Sequence, residues 1–218
     1  MIVVIQCAAR KQADAGRLVT ADGTPIEFVA DPKSAPVDPA HVYARPDDLS
    51  DQSVSWRRVL LRYNDESHHN PLGLCPAYRL YENATYNRLV DKFGMEKVYI
   101  LSAGWGLISA SFLTPHYDIT FSPSAERYKR RRKTDYYDDF CMLPVTIGEE
   151  ILFVGGKDYL PLFCSLTSTA RARKIAFYNS AQVPDARGCS LRRFVTSTRT
   201  NWHYECANAI LAGEFRIS

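Results

Sequence analysis

The chain has 218 residues, 46% hydrophobic and 23% charged, which is enough for one domain with a sizeable core and ordinary for a globular enzyme or binding protein. A formal net charge of +3 does not by itself mark a nucleic-acid binder, so the placement of the cations says more than their sum. No apolar run is long enough to span a bilayer, polar residues interrupt the apolar start too soon for a signal-peptide core, and six scattered cysteines without a CxxC pair read as reduced thiols, so a cytoplasmic protein with no membrane partner is expected.

The first expected element is a strand over 2–5, apolar on both faces. It runs into Gln6-Cys7-Ala8-Ala9-Arg10-Lys11, which sets an amide, a thiol and two cations at a strand end. Asp22-Gly23 is a tight-turn signal and 26–29 an accessory strand. Pro32, Pro36, Pro39 and Pro46, interspersed with Asp31, Asp38, Asp47 and Asp48, mark a loop or extended arm. The expected organisation is therefore one domain over 1–218 with a loop insertion at about 31–71. Within the insertion, 56–63 fits helix or strand equally, and the adjacent His68 and His69 point in different directions on either element, which does not make a metal site. Residues 77–93 read as a helix, with Tyr78, Tyr81, Thr85 and Leu89 at helical spacing and Gly94 as its C-cap.

A strand over 98–101 follows and ends abruptly in Ser102-Ala103-Gly104-Trp105-Gly106, small residues that allow a sharp turn and close approach of a ligand. The polar cluster His116-Tyr117-Asp118 comes next, and Ser122 or Ser124 with Pro123 suits the start of a further helix. Arg127, Lys129, Arg130, Arg131, Arg132 and Lys133 form the densest charge run, flanked by Tyr128, Tyr136 and Tyr137, and are expected to contact phosphates. A strand over 151–154 ends in Gly155-Gly156, Lys157-Asp158 supplies a turn and cap, 159–170 fits a helix, and 174–178 is a fourth strand ending in Asn179-Ser180. The loop beyond carries Arg187, Arg192 and Arg193 with Pro184 and Gly188, and 198–211 is a closing helix. Four apolar strands with small or polar ends imply an α/β fold: a central four-stranded, mostly parallel sheet flanked by helices, with the strand ends on one rim.

Gln6-Cys7-Ala8-Ala9-Arg10-Lys11 after the first strand, Ile100-Leu101-Ser102-Ala103-Gly104-Trp105-Gly106-Leu107 and Pro115-His116-Tyr117-Asp118 resemble the YaaA-type peroxide-stress proteins and their relatives. That family shares a C-x-x-x-K after a strand, a central S-A-x-[WY]-G-L and a downstream P-Y-D. The likeness covers the first strand and about 77–121; His116 before Tyr117, and Gly104 where a basic residue is common, depart from it. The resemblance implies a DNA-associated protein. The architecture is also similar to the three-layer uracil-DNA glycosylase fold, in which an acidic or amide residue follows the first strand and a loop after the last strand probes the duplex; Gln6 and 179–193 stand in corresponding places.

These features lead to an expected DNA glycosylase-like enzyme that excises a modified or damaged base without a metal or other cofactor. Asp118 is the expected catalytic carboxylate, with Gln6 and Tyr117 beside it; Ser102, Trp105, Asn179 and Lys11 are expected at the base. The same rim also suits a non-catalytic DNA-binding stress-response protein. A nucleotide-binding enzyme built on the glycine turns at 104–106 and 155–156 is a third reading, although neither turn is a GxGxxG or a P-loop.

Overall fold

A computed structural model describes residues 1–66, 69–144, 148–198 and 200–214; His68 lies outside them. In chain order the strands are β1 (Ile2–Gln6), β2 (Ile26–Phe28), β3 (Val42–Ala44), β4 (Cys75–Pro76), β5 (Val98–Ser102), β6 (Gly106–Ser109), β7 (Leu113–Thr114), β8 (Phe140–Cys141), β9 (Ile151–Val154), β10 (Lys174–Tyr178) and β11 (Ser190–Arg193). The helices are α1 (Trp56–Glu66), α2 (Thr85–Phe93), α3 (Leu160–Leu166) and α4 (Trp202–Ala212).

The fold is α/β, and the four expected strands lie side by side and parallel as β5-β1-β9-β10. Their apolar runs are buried on both faces, as a strand covered by helices requires: Val3, Val4, Ile5, Ile100, Leu101, Leu152, Phe153 and Phe177 are all 0% exposed. The sheet has seven strands, however, not four. Beyond β5, the chain turns back through Ser102–Gly106 so that β6 pairs antiparallel with it, and β8 adds to β6. Gly106 makes this possible. It sits at φ +89°, and a Cβ there would lie 2.5 Å from the Phe140 carbonyl oxygen of β8. At the other edge β11 pairs with β10, so Arg192 and Arg193 belong to an edge strand rather than to a loop. With one neighbour only, such a strand tolerates the charged Ser-Leu-Arg-Arg sequence.

The expected helix over 77–93 begins only at Thr85. Ahead of it, Cys75 and Pro76 pair with β7, and the Ala77 and Tyr78 amides donate to the Phe112 and Ala110 carbonyls at 2.9 and 3.1 Å. Tyr78 and Tyr81 are buried by this extended strap, which mimicked a helical stripe in the sequence. The segment over 31–71 is more than an arm, because β3 pairs with β2 and α1 buries Trp56, Arg57 and Leu60. After Ser122 and Ser124 there is one 3₁₀ turn, Arg127–Lys129, in place of a helix. Its backbone is tied elsewhere: Ala30 and Asp31 both donate to the Tyr128 carbonyl at 2.8 Å, the Thr120 amide donates to the Lys129 carbonyl and the Arg131 amide to the Thr120 carbonyl, each at 2.9 Å. Helices α2 and α4 pack on each other and against β1, β5 and β9, while α3 packs against β6. Among the described residues no helix is long and apolar enough to cross a membrane.

Candidate functional site

Strands β1 and β9 are neighbours, but the chain leaves β1 toward β5 and leaves β9 toward β10. Where connections diverge like this, the carboxyl ends of the two strands frame a crevice that open α/β sheets use for ligands. A cleft of about 310 Å³ lies there, lined from β1 by Gln6 and Cys7, from the following segments by Thr120, Phe121, Asp158 and Tyr159, and from the start of α4 by Asn201, Trp202 and His203.

Each side chain is fixed by its strand end. Gln6 Oε1 accepts the Gly156 amide at 2.6 Å, leaving the Gln6 NH2 group without a protein partner among the described residues. Gly155 permits this closure, since a side chain there would collide with the Phe153 ring. The Cys7 thiol accepts the Ala103 amide at 3.4 Å and shares a hydrogen bond of 3.2 Å with the Tyr159 hydroxyl. Phe121 stands edge-on to Tyr159 at 5.0 Å, forming an apolar wall. Asp158 is the one carboxylate among the described residues that line the cleft; Lys133 Nζ holds it at 2.9 Å, and its side chain is 32% exposed. The N-terminus of α4 carries no side-chain cap, and its first residues, Asn201, Trp202 and His203, line the cleft.

His203 is 6% exposed and its Nε2 has no hydrogen-bond partner among the described residues. Burial pushes its pKa down to about 4, so the imidazole is neutral at pH 7. The folded value lies below the ordinary 6.5, so between the two the unfolded chain binds the extra proton and stability falls as pH drops. This residue alone is expected to cost about 2 kcal/mol between about pH 7.5 and pH 5. Urea unfolding at the two pH values should show that loss in the wild type and its absence in His203→Gln; matching slopes would mean the imidazole finds a partner.

Beneath the cleft is a layer of buried phenols. Tyr117 bonds to Tyr81 and accepts from Ser102 Oγ, both at 2.9 Å, and the Tyr86 hydroxyl donates to the Gln6 carbonyl at 2.9 Å. Burial holds the pKa of Tyr81, Tyr86, Tyr117 and Tyr159 well above 10, so these groups exchange no charge at neutral pH. Lys11 is 7% exposed, 4.2 Å from the centre of the Tyr117 ring, and reaches the Ala8 and Ala9 carbonyls at 3.4 and 3.3 Å. No carboxylate pairs with it among the described residues, and burial lowers its pKa.

The expected site residues separate into groups. Of these residues, Gln6 lines the cleft. Tyr117, Ser102 and Trp105 are 0% exposed: Ser102 Oγ accepts the Gly104 and Trp105 amides at 3.2 and 3.1 Å, and the Trp105 ring meets Phe28 edge-on at 5.0 Å. The His116-Tyr117-Asp118 cluster does not converge. His116 pairs with Glu27 at 3.1 Å, Tyr117 points into the phenol layer, and Asp118, which does not line the cleft, pairs with Lys129 at 2.9 Å. Asn179 is half-buried after β10, outside the cleft lining, and Arg187 is exposed between β10 and β11.

The glycine turn after β5 is clamped rather than open. Arg131 Nη1 donates to the Ala103 carbonyl at 2.9 Å, and the two terminal nitrogens of Arg57 donate to those of Gly104 and Trp105 at 3.0 Å each. Both arginines are buried and each has an aspartate, Asp139 for Arg131 and Asp47 for Arg57. Within the basic run Arg131 is therefore committed to the core, Lys129 to Asp118 and Glu126, and Lys133 to Asp158. Arg127 is 73% exposed, Arg130 donates to the Pro123 carbonyl, and the Arg132 guanidinium has no protein partner among the described residues.

Sequence reasoning passed over Thr120, Phe121, Asp158, Tyr159 and His203 as site residues. The signal available was Gly155-Gly156-Lys157-Asp158 at a strand end, where it read as a turn and cap. Among the described residues no three His, Cys, Asp or Glu side chains group closely enough to hold a metal ion. No family model matches the chain, and neither a curated protein nor a solved structure shows significant similarity to it.

Proposed function

We propose that the protein binds DNA and hydrolyses the N-glycosidic bond of a modified or damaged base extruded into the switch-point cleft. The observation that carries this reading is the composition of the cleft: one carboxylate, Asp158, the Gln6 NH2 group without a protein partner among the described residues, an apolar Phe121–Tyr159 wall and the uncapped start of α4. In this arrangement the aromatic wall packs against the base, and Gln6 together with the α4 amides donates to its carbonyl groups. Asp158 faces the sugar, where positive charge develops as the bond from C1′ to the base nitrogen breaks. Water adds its oxygen to C1′, and its proton leaves with the departing base. The exposed cations of the basic run neutralise the flanking phosphates. Polar groups gathered at the carboxyl ends of parallel strands support the same reading, because open α/β sheets bind ligands there.

The test is to offer duplexes carrying uracil, oxidised bases or modified cytosines and thymines and to detect free base by mass spectrometry. Release from at least one substrate is the expected result. Tight binding to all of them with no base released from any would establish the non-catalytic DNA-binding reading instead.

A further inference from the structure

We propose that an arginine-lined cavity beside the basic run is a binding site for the terminal phosphate of a nucleic-acid strand, a monoester dianion. The proposal rests on the DNA reading above and adds to it a specific feature of the substrate. The cavity, of about 290 Å³, is lined by Arg45, Arg127, Arg130 and Arg132, with Asp31 and Asp135 as its anionic residues. Four guanidinium groups against two carboxylates leave an excess of two positive charges.

The cavity is built by the backbone. Ala30 and Asp31 donate together to the Tyr128 carbonyl at 2.8 Å, joining the wall that carries Asp31 to the turn that carries Arg127. The Arg132 amide donates to Asp135 at 2.8 Å, and Arg45 reaches the Tyr136 carbonyl at 3.0 Å. Much of the donor capacity is unspent. Among the described residues Arg132 has no protein partner for its guanidinium and the buried Arg45 Nε has no acceptor, while Asp31 stands 3.9 Å from Arg127 Nε, too far for a hydrogen bond. Planar guanidinium forks match phosphate oxygens in pairs, and a donor surplus of this kind calls for an acceptor-rich anion.

Charge and shape favour a monoester over the strand interior. A diester carries one negative charge and needs room for chain on both sides, whereas a terminal phosphate carries nearly two at neutral pH and enters a concavity from one side. One further cavity lies between this one and the cleft. Arg132 and Asp135 line a neighbouring cavity of about 350 Å³, which in turn shares Phe121 and Asp158 with the switch-point cleft. A strand end held at the arginines is therefore one cavity removed from the extruded base.

Fluorescence anisotropy with three otherwise identical duplexes, ending in 5′-phosphate, 3′-phosphate or hydroxyl groups only, tests the proposal. A nucleoside 5′-monophosphate and its nucleoside serve as competitors. One phosphorylated end should bind about tenfold more tightly than the hydroxyl end, and the Arg130→Gln/Arg132→Gln variant should abolish that ratio. Equal affinity for all three duplexes overturns the proposal while leaving the DNA reading standing. Failure of every duplex to bind overturns the DNA reading, and if the monophosphate then binds with the same arginine dependence, the cavity is a free-nucleotide site and the strand-end assignment is wrong.

Discussion

Asp158→Asn is expected to keep DNA affinity within a few-fold of wild type and to slow base release by about 10²–10³, the scale of losing one electrostatic contact to a transition state. Asparagine keeps the size of the side chain and removes the charge that the proposed reaction sets against the sugar. Asp118→Asn is the matched control. Its carboxylate is 2.9 Å from Lys129 and does not line the cleft, so its loss should change release by less than about threefold. Single-turnover assays on the substrate that gives free base separate the two. If Asp158→Asn releases base at the wild-type rate while Asp118→Asn does not, the reacting carboxylate lies outside the cleft described here.

The contrast between these two aspartates shows what the sequence can and cannot reveal. Both follow a strand or a strand-like segment, and Asp118 looked richer because His116 and Tyr117 stand beside it. In an extended segment, however, neighbours point to different sides, so the three side chains go to Glu27, to the buried phenols and to Lys129. Strands β1, β5, β9 and β10 were legible because strands buried on both faces need continuous apolar runs. The edges were not legible: β8 is two residues long, and β11 has a single apolar residue. The cleft itself depends on which strands are adjacent. Gln6 and Gly156 lie 150 residues apart in sequence and meet only because β9 inserts beside β1.

The buried lysine and histidine near the cleft carry a related lesson. Lys11 and His203 each give up hydration without gaining a charged partner among the described residues, which costs stability that a core needs no reason to lose. Both lie close to Gln6 and Cys7: Lys11 through the Ala8 and Ala9 carbonyls, His203 through the cleft wall. Of the two, His203 carries the orphaned polar atom, its Nε2 lacking a hydrogen-bond partner among the described residues, whereas the Lys11 ammonium is taken up by the Ala8 and Ala9 carbonyls.

Arg131 has both terminal nitrogens committed, to Asp139 and to the Ala103 carbonyl, and its removal should be the most damaging single change in the basic run. Arg131→Ala is expected to cost about 3–5 kcal/mol in urea unfolding at pH 7, because it strands a desolvated partner. The Asp139 side chain is 6% exposed and receives both Arg131 terminal nitrogens, at 2.9 and 2.5 Å. The same substitution frees the Ala103 carbonyl in the turn after β5 and removes a guanidinium 3.8 Å from the centre of the Tyr137 ring. Arg132→Ala, one residue along, removes a guanidinium without a protein partner among the described residues and should change stability by less than about 0.5 kcal/mol. The pH dependence identifies the stranded group. Burial already holds the Asp139 pKa above its ordinary value despite Arg131, and without the guanidinium it rises further. A folded pKa above the unfolded one means the native state binds the extra proton, so stability falls as pH rises and recovers as pH is lowered. Arg131→Ala should therefore regain part of its loss between about pH 7 and pH 5, and Arg131→Ala/Asp139→Asn should regain it at pH 7. Wild-type stability in Arg131→Ala, together with weakened DNA binding, would instead make Arg131 a phosphate contact.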